Sequence, residues 1–295
     1  MKILIAYDGS PCADAAVHDL RRAGLPSEAD CIVLTMADVF PPPPPETSLM
    51  EDEIAKSMLA AAAARADQAA RAVQSDFPRW SVRSEASPES PAWGVLKRAT
   101  EWPADMVVMG SHGMSATDRL FIGSVSQRVM VQARCSVRVA RGRPDADGVP
   151  VRLIIGFDGS TDAEAAIRAV ASRSWPKDAE ARLITAVDHG IVSAIAAKVL
   201  KPRRKPGEKD DYRAWLSNMA EDAADQLRKA GLKTTCSIAE GEPKRILIET
   251  AMQWRADCVF LGATGLRGLG RLLLGSVSSA VTAHAPCTVE VVRSR

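Results

Sequence analysis

At 295 residues the chain is longer than one average domain, and its 46% hydrophobic and 25% charged content is that of an ordinary globular protein. Its 38 basic and 36 acidic residues leave a formal charge of +2, too balanced for a surface devoted to nucleic acid or anionic membrane. No apolar stretch reaches membrane-spanning length and Met1-Lys2 leads directly into an apolar run without a signal-peptide pattern, so a cytoplasmic location is expected. Cys12, Cys31, Cys135, Cys236, Cys258 and Cys287 form no Cys-x-x-Cys pair and no cluster with the four histidines, which predicts reduced, mostly core thiols.

Short apolar, β-branched runs alternate with longer Ala-rich segments of helical period, the pattern of parallel strands joined by crossover helices. In the first half, strands are predicted near 2–7, 31–37, 80–86, 105–109 and 136–140, and helices near 11–23, 50–75, 90–101 and 123–133. The second half has predicted strands near 151–157, 181–187, 233–239, 257–261 and 287–292, and helices near 161–173, 209–230, 243–254 and 275–284. Strands apolar on both faces need helices on both sides, so the fold class is doubly wound α/β, twice over.

The halves are copies. Lys2-Ile-Leu-Ile-Ala-Tyr-Asp8-Gly9-Ser10 returns as Arg152-Leu-Ile-Ile-Gly-Phe-Asp158-Gly159-Ser160 at an offset of 150. Glu101-Trp102-Pro-Ala-Asp105 returns as Gln253-Trp254-Arg-Ala-Asp257, and Cys135-Ser-Val-Arg-Val as Cys287-Thr-Val-Glu-Val, now at an offset of 152. Domains over 1–142 and 150–295 are expected, joined through the Gly-, Pro- and Arg-containing stretch Arg141 to Pro150. Two segments after the second strands differ between the copies: Pro41 to Pro45 reads as a stiff spacer, and the basic run Lys198 to Asp211 as a solvated loop without aromatic interleaving.

The most specific signal is Gly110-Ser-His-Gly113, nine residues, then Gly123-Ser124, repeated as Gly262-Ala-Thr-Gly265, nine residues, then Gly275-Ser276. Glycines ending a strand are expected to adopt dihedral angles closed to other residues and to let backbone amides approach a ligand. Gly123-Ser124 opens a helix, where unpaired N–H groups and the helix dipole favour an anion. The hydroxyls of Ser124, Ser126, Ser276 and Ser278 are free either to bind phosphate or to cap the helix. Asp8 and Asp158 follow the first strand of each half at its carboxyl end; each suits ribose hydroxyls, and each equally suits a turn that starts the next helix.

A hydrophobic strand closing in Asp-Gly-Ser, followed far downstream by Gly-x-x-Gly, nine residues and Gly-Ser, resembles the universal stress protein family over nearly the whole chain, twice. The resemblance implies a five-stranded parallel sheet of order 3-2-1-4-5 in each half, related to the adenine nucleotide alpha hydrolases. It also implies ATP, or AMP or ADP, bound across strands 1 and 4, with magnesium as the accompanying ion. Carried over by position, Asp8 and Asp158 would hold ribose, and backbone around Met36 or Ala186 would meet adenine. Gly110, Gly113, Gly123, Ser124, Val125 and Ser126, with Gly262, Gly265, Gly275, Ser276, Val277 and Ser278, would receive phosphate. The same resemblance implies a pseudo-dimer of the two halves through 136–140 and 287–292, and leaves a homodimer of chains open.

The copies depart from each other inside the loop: Ala116 and Asp118 stand where the second half has Gly268 and Gly270, and Glu89 where it has Gly241. The second half is therefore the better expected site for ATP. No Gly-x-x-x-x-Gly-Lys-Ser/Thr is present, and no duplicated residue serves to activate water or clamp a metal. His112 faces Thr264 across the repeat, which argues against a shared base and predicts that both hydrogen-bond phosphate. Trp102 and Trp254 are expected to pack rather than stack on a base, and Cys135 and Cys287 to be core. The leading expectation is a nucleotide-binding stress-response module; a slow ATP hydrolase or phosphotransferase, and a scaffold without nucleotide, are the alternatives.

Overall fold

The run Ile3-Leu4-Ile5 and its repeat Leu153-Ile154-Ile155 are wholly buried at every position, which only a strand covered on both faces allows. In the computed structural model, which describes residues 1–37, 49–113, 122–142, 148–187, 209–266 and 274–294, these runs form the central strands of two compact units, Met1–Gly142 and Arg143–Arg295. Pro41–Pro45, 198–208 of the basic segment, His189 and the loop residues 114–121 and 267–273 lie outside the described residues, as do the side chains of 49–52 and 209–214.

In the first unit, β1 (Lys2–Ala6) leads into α1 (Pro11–Asp19), β2 (Asp30–Met36), α2 (Leu49–Asp76) and β3 (Ser81–Ser87). The chain then returns through α3 (Pro91–Glu101), β4 (Met106–Gly110), α4 (Ser124–Gln132) and β5 (Ser136–Ala140). The strands are parallel in the order β3-β2-β1-β4-β5. The second unit repeats this with β6 (Arg152–Gly156), α5 (Thr161–Ala171), β7 (Glu180–Val187), α6 (Lys209–Lys229), β8 (Lys233–Glu240), α7 (Pro243–Gln253), β9 (Cys258–Gly262), α8 (Ser276–His284) and β10 (Thr288–Val292). Its parallel order is β8-β7-β6-β9-β10. The winding direction reverses between β1 and β4, and between β6 and β9, so each unit opens a crevice at the carboxyl ends of those strands.

The helix expected over 11–23 stops at Asp19 and tightens into a 3₁₀ turn, Leu20–Arg22, before Gly24 turns the chain at φ +63°. Asp19 is held here because it accepts a hydrogen bond from the buried Arg138 of β5 at 2.7 Å. The second unit inverts the polarity: the equivalent strand position carries buried Glu290, which pairs with Arg173 beyond α5. Neither pair was legible from residue type, since one partner in each is a charge in a helix or loop with no periodic signal.

The Asp-Gly-Ser turns build the crevice floor. Gly9 and Gly159 take φ of +82° and +76°, which a residue with a Cβ rarely adopts. Ser10 and Ser160 then cap α1 and α5, accepting from the amides of Ala13 and Ala163 at 3.2 Å. The Ser160 hydroxyl also donates to the Thr264 carbonyl at 3.2 Å, so one side chain ties a helix start to the loop after β9. Replacing Ser160 with Ala is expected to destabilise the second unit by about 1–2 kcal/mol. Amide hydrogen exchange should show the loss as faster exchange in the first turn of α5 and around Thr264.

Candidate functional site

A cleft of about 390 Å³ opens at the carboxyl ends of β6, β7 and β9. Asp158, Ala186, Gly262, Gly265, Gly275, Ser276, Val277 and Ser278, the second-half residues to which the family resemblance assigns a nucleotide contact, line it together. At one end the wall is apolar, formed by Ile184 and Ala186 of β7 with Leu247 of α7. At the other end stands the start of α8, whose N-cap is Gly275 with no side-chain cap bond. The Gly275 amide donates to the Ala263 carbonyl at 2.7 Å, whereas the amides of Ser276, Val277 and Ser278 belong to the first turn, which has no intrahelical acceptor.

The spaced glycines are required for a different reason from the one expected. None of Gly110, Gly113, Gly123, Gly262, Gly265 and Gly275 has a positive φ. All but Gly123 are instead places of close approach. A Cβ on Gly262 would lie 2.6 Å from the Ala163 amide nitrogen, and one on Gly110 would lie 2.7 Å from the Cys12 carbonyl carbon. A Cβ on Gly265 would lie 2.7 Å from Asp158 Oδ2, and one on Gly113 would lie 2.8 Å from Asp8 Oδ2. Gly123 rests against Ser111 and His112.

The serines divide their work. Ser276 and Ser124 are exposed first-turn residues rather than caps. Ser278 and Ser126 are buried, and their hydroxyls donate to the carbonyls of Gly262 at 2.7 Å and Gly110 at 2.8 Å. They therefore fix the helix to the strand end, and Val277 and Val125 lie between the two serines of each turn. Asp158 accepts from the Ser160 amide through Oδ1 and from the Leu266 amide through Oδ2, both at 3.0 Å. Asp8 accepts from the Ser10 amide at 2.9 Å. The turn role of these carboxylates is thus realised, and each oxygen keeps a second lone pair for another donor.

The expected phosphate bond from Thr264 is corrected: its hydroxyl and amide both donate to Asp162 Oδ2, at 2.7 and 3.0 Å. Ser294 donates to the other oxygen of the same carboxylate through its amide and hydroxyl. Burial opposes the charge on Asp162, but these hydrogen bonds outweigh it and hold its pKa below the ordinary value. Cys12 stands at the position equivalent to Asp162, so duplication could not point to this network. His112 is buried, shares a 2.9 Å hydrogen bond with Ser111, and has its Nε2 enclosed with no hydrogen-bond partner among the described residues. Burial and the nearby Arg141 both lower its pKa. The sequence also missed Lys244, paired with Glu242 at the rim of the cleft, because Ala92 stands at its place in the first half.

Trp102 and Trp254 lie at the opposite, amino end of the strands. Lys2 sits 5.6 Å from the Trp102 ring, and Arg182 sits 4.1 Å from that of Trp254, so the rings pack against cations. Cys135 and Cys287 are buried, and burial alone pushes the Cys31 thiol up to about 12. His18 and His284 are exposed.

The sequence profile of the Universal stress protein family matches residues 1–141 and again 151–293. The chain belongs to the universal stress protein family. A universal stress protein of Mycobacterium tuberculosis H37Rv is 28% identical over 313 residues, covering 99% of this chain and 96% of the relative. One from Synechocystis is 36% identical over 86 residues, 29% of this chain; the match spans about half of that relative, 53%. Among solved structures, a universal stress protein from Archaeoglobus fulgidus aligns with TM-score 0.66 at 17% identity, covering 99% of this chain and 98% of that one. A Pseudomonas aeruginosa structure aligns with TM-score 0.62 at 14% identity over 99% of this chain and 92% of its own. These two likenesses support the parallel α/β fold.

Two outcomes are expected. Gly262→Ala must push backbone against backbone, and should lower stability by about 1–3 kcal/mol in urea unfolding. His112, depressed below the ordinary 6.5, should show an imidazole midpoint under that value by NMR. Its contribution to stability is then complete above pH 6.5 and is lost as pH falls through the folded-state midpoint, because the unfolded chain takes the proton first.

Proposed function

We propose that the chain binds an adenine nucleotide, ATP or its di- or monophosphate, in the cleft of the second domain, and that binding changes conformation or assembly rather than driving turnover. The observation that carries this reading is the union, in one cleft, of an apolar slot, a strand-end carboxylate and an uncapped helix start. Adenine fits the slot between Ile184, Ala186 and Leu247. The free lone pairs of Asp158 suit the ribose hydroxyls, and the first-turn amides of α8 suit phosphate oxygens. Magnesium would arrive with the phosphates, since among the described residues no group of three or more His, Cys, Asp or Glu is placed to hold a metal. No described helix is long and apolar enough to cross a membrane, and none of the six cysteines is joined in a disulfide, which suits a reducing cytoplasm.

Ser276→Asp separates folding from binding. A carboxylate in a first helical turn favours the helix by about 0.3–1 kcal/mol, yet it repels a polyphosphate. The variant should keep or raise its Tm without ligand and lose at least tenfold in ATP affinity, measured by equilibrium dialysis of the full chain. Absence of ATP binding to the wild-type chain at millimolar concentration would reject nucleotide binding. Product release from labelled ATP in a single turnover, at a rate that Ser276→Asp abolishes, would reject the non-catalytic reading.

A further inference from the structure

At the end of the crevice lined by Ala186, three positions change together between the two domains. In the second domain these are Ala186, Gly241 and Ile246; in the first, Met36, Glu89 and Gly94 occupy the equivalent places. Ala186 leaves the slot beside Ile184 and Leu247 open. Met36 instead extends from the end of β2 across to the first turn of α3. Its Sδ and Cε lie 2.6 and 2.7 Å from where a Cβ on Gly94 would be, and Glu89 Oε2 lies 3.2 Å from the same point.

Glycine inside a helix costs about 1 kcal/mol relative to alanine, so Gly94 needs a compensating reason, and the thioether resting on it supplies one. The second domain places its bulk the other way round. Ile246 sits on the helix and turns its Cδ1 toward Gly241, 3.5 Å from where a Cβ there would be. The strand residue below it is then small. Glu89 adds a carboxylate at the same end of the first domain, held by Lys97 at 2.5 Å. The remaining wiring is shared: Asp8 and Asp158 accept from the serine amide two residues on, and Ser126 and Ser278 each anchor a helix to a strand-end carbonyl.

We propose that Met36, backed by Gly94 and Glu89, fills the base slot of the first domain, so that the chain takes one nucleotide, in the second domain, while the first domain keeps the turn architecture without admitting a purine. This rests on the nucleotide-binding reading above and adds stoichiometry and its determinant. Size exclusion is the mechanism: a long, unbranched side chain occupies the volume that Ala186 leaves empty.

The test is equilibrium dialysis of labelled ATP against the full-length chain, with circular dichroism to verify folding. Wild type should bind one equivalent. Met36→Ala with Glu89→Gly, which copies two of the second domain's three residues and empties the slot, should bind two. Ala186→Met should lower binding at least tenfold. Photolabelling wild type with 8-azido-ATP should mark only peptides from the second domain. Two equivalents bound by wild type, or labelled peptides from the first domain, would overturn the inference and leave nucleotide binding intact. One equivalent persisting in the folded double variant would overturn Met36 as the determinant. No binding by any form would overturn the underlying reading as well, so the two failures are told apart by wild type alone.

Discussion

The backbone of β9 meets the first turn of α5 at a point where Gly262 has no side chain, and Gly110 plays the same part between β4 and α1. At these separations neither a rotamer change nor a small shift of a neighbouring side chain makes room, because the atoms in the way are main-chain atoms. That approach brings the strand end under the capping serine, lets Ser160 reach the Thr264 carbonyl, and sets Asp158 within reach of the Leu266 amide. The start of α8 is then drawn in by Ser278, which holds the Gly262 carbonyl. A crevice with an uncapped helix at one end results from packing rather than from any single binding residue.

Around this shared frame the copies have diverged in their polar interiors. The second domain encloses Asp162 with four hydrogen-bond donations from Thr264 and Ser294, while the first has Cys12 at the equivalent position and a buried His112 bonded to Ser111. The buried ion pairs have exchanged charge, Arg138 with Asp19 in one domain and Glu290 with Arg173 in the other. Breaking one member of such a pair is costly, which explains why the partners differ as sets and not one residue at a time. Met36, Glu89 and Gly94 are a third set, which meets at the start of α3.

Membership of the universal stress protein family follows from residues spread over both halves, while the chemistry of this chain follows from where the halves disagree. Residues that both copies need recur at a fixed offset, whereas a residue that one copy acquired alone has no counterpart. Lys244, Asp162 and the Met36 contact all belong to the second kind.

The amino-acid sequence by itself determined the strand and helix order, the duplication, and the glycine and serine positions that surround the crevice, because periodicity and repeated spacing are local properties of the chain. It also suggested that Asp-Gly-Ser is a turn, and Gly9 and Gly159 do take left-handed conformations there. Only the tertiary structure decided that the later glycines serve close approach instead of unusual dihedral angles, that Thr264 and Ser278 spend their hydroxyls on the protein, and that Met36 lies across Gly94. Those outcomes depend on distances between residues separated along the chain, 16 positions for Ser278 and Gly262 and 102 for Thr264 and Asp162, and no local pattern encodes which atoms meet.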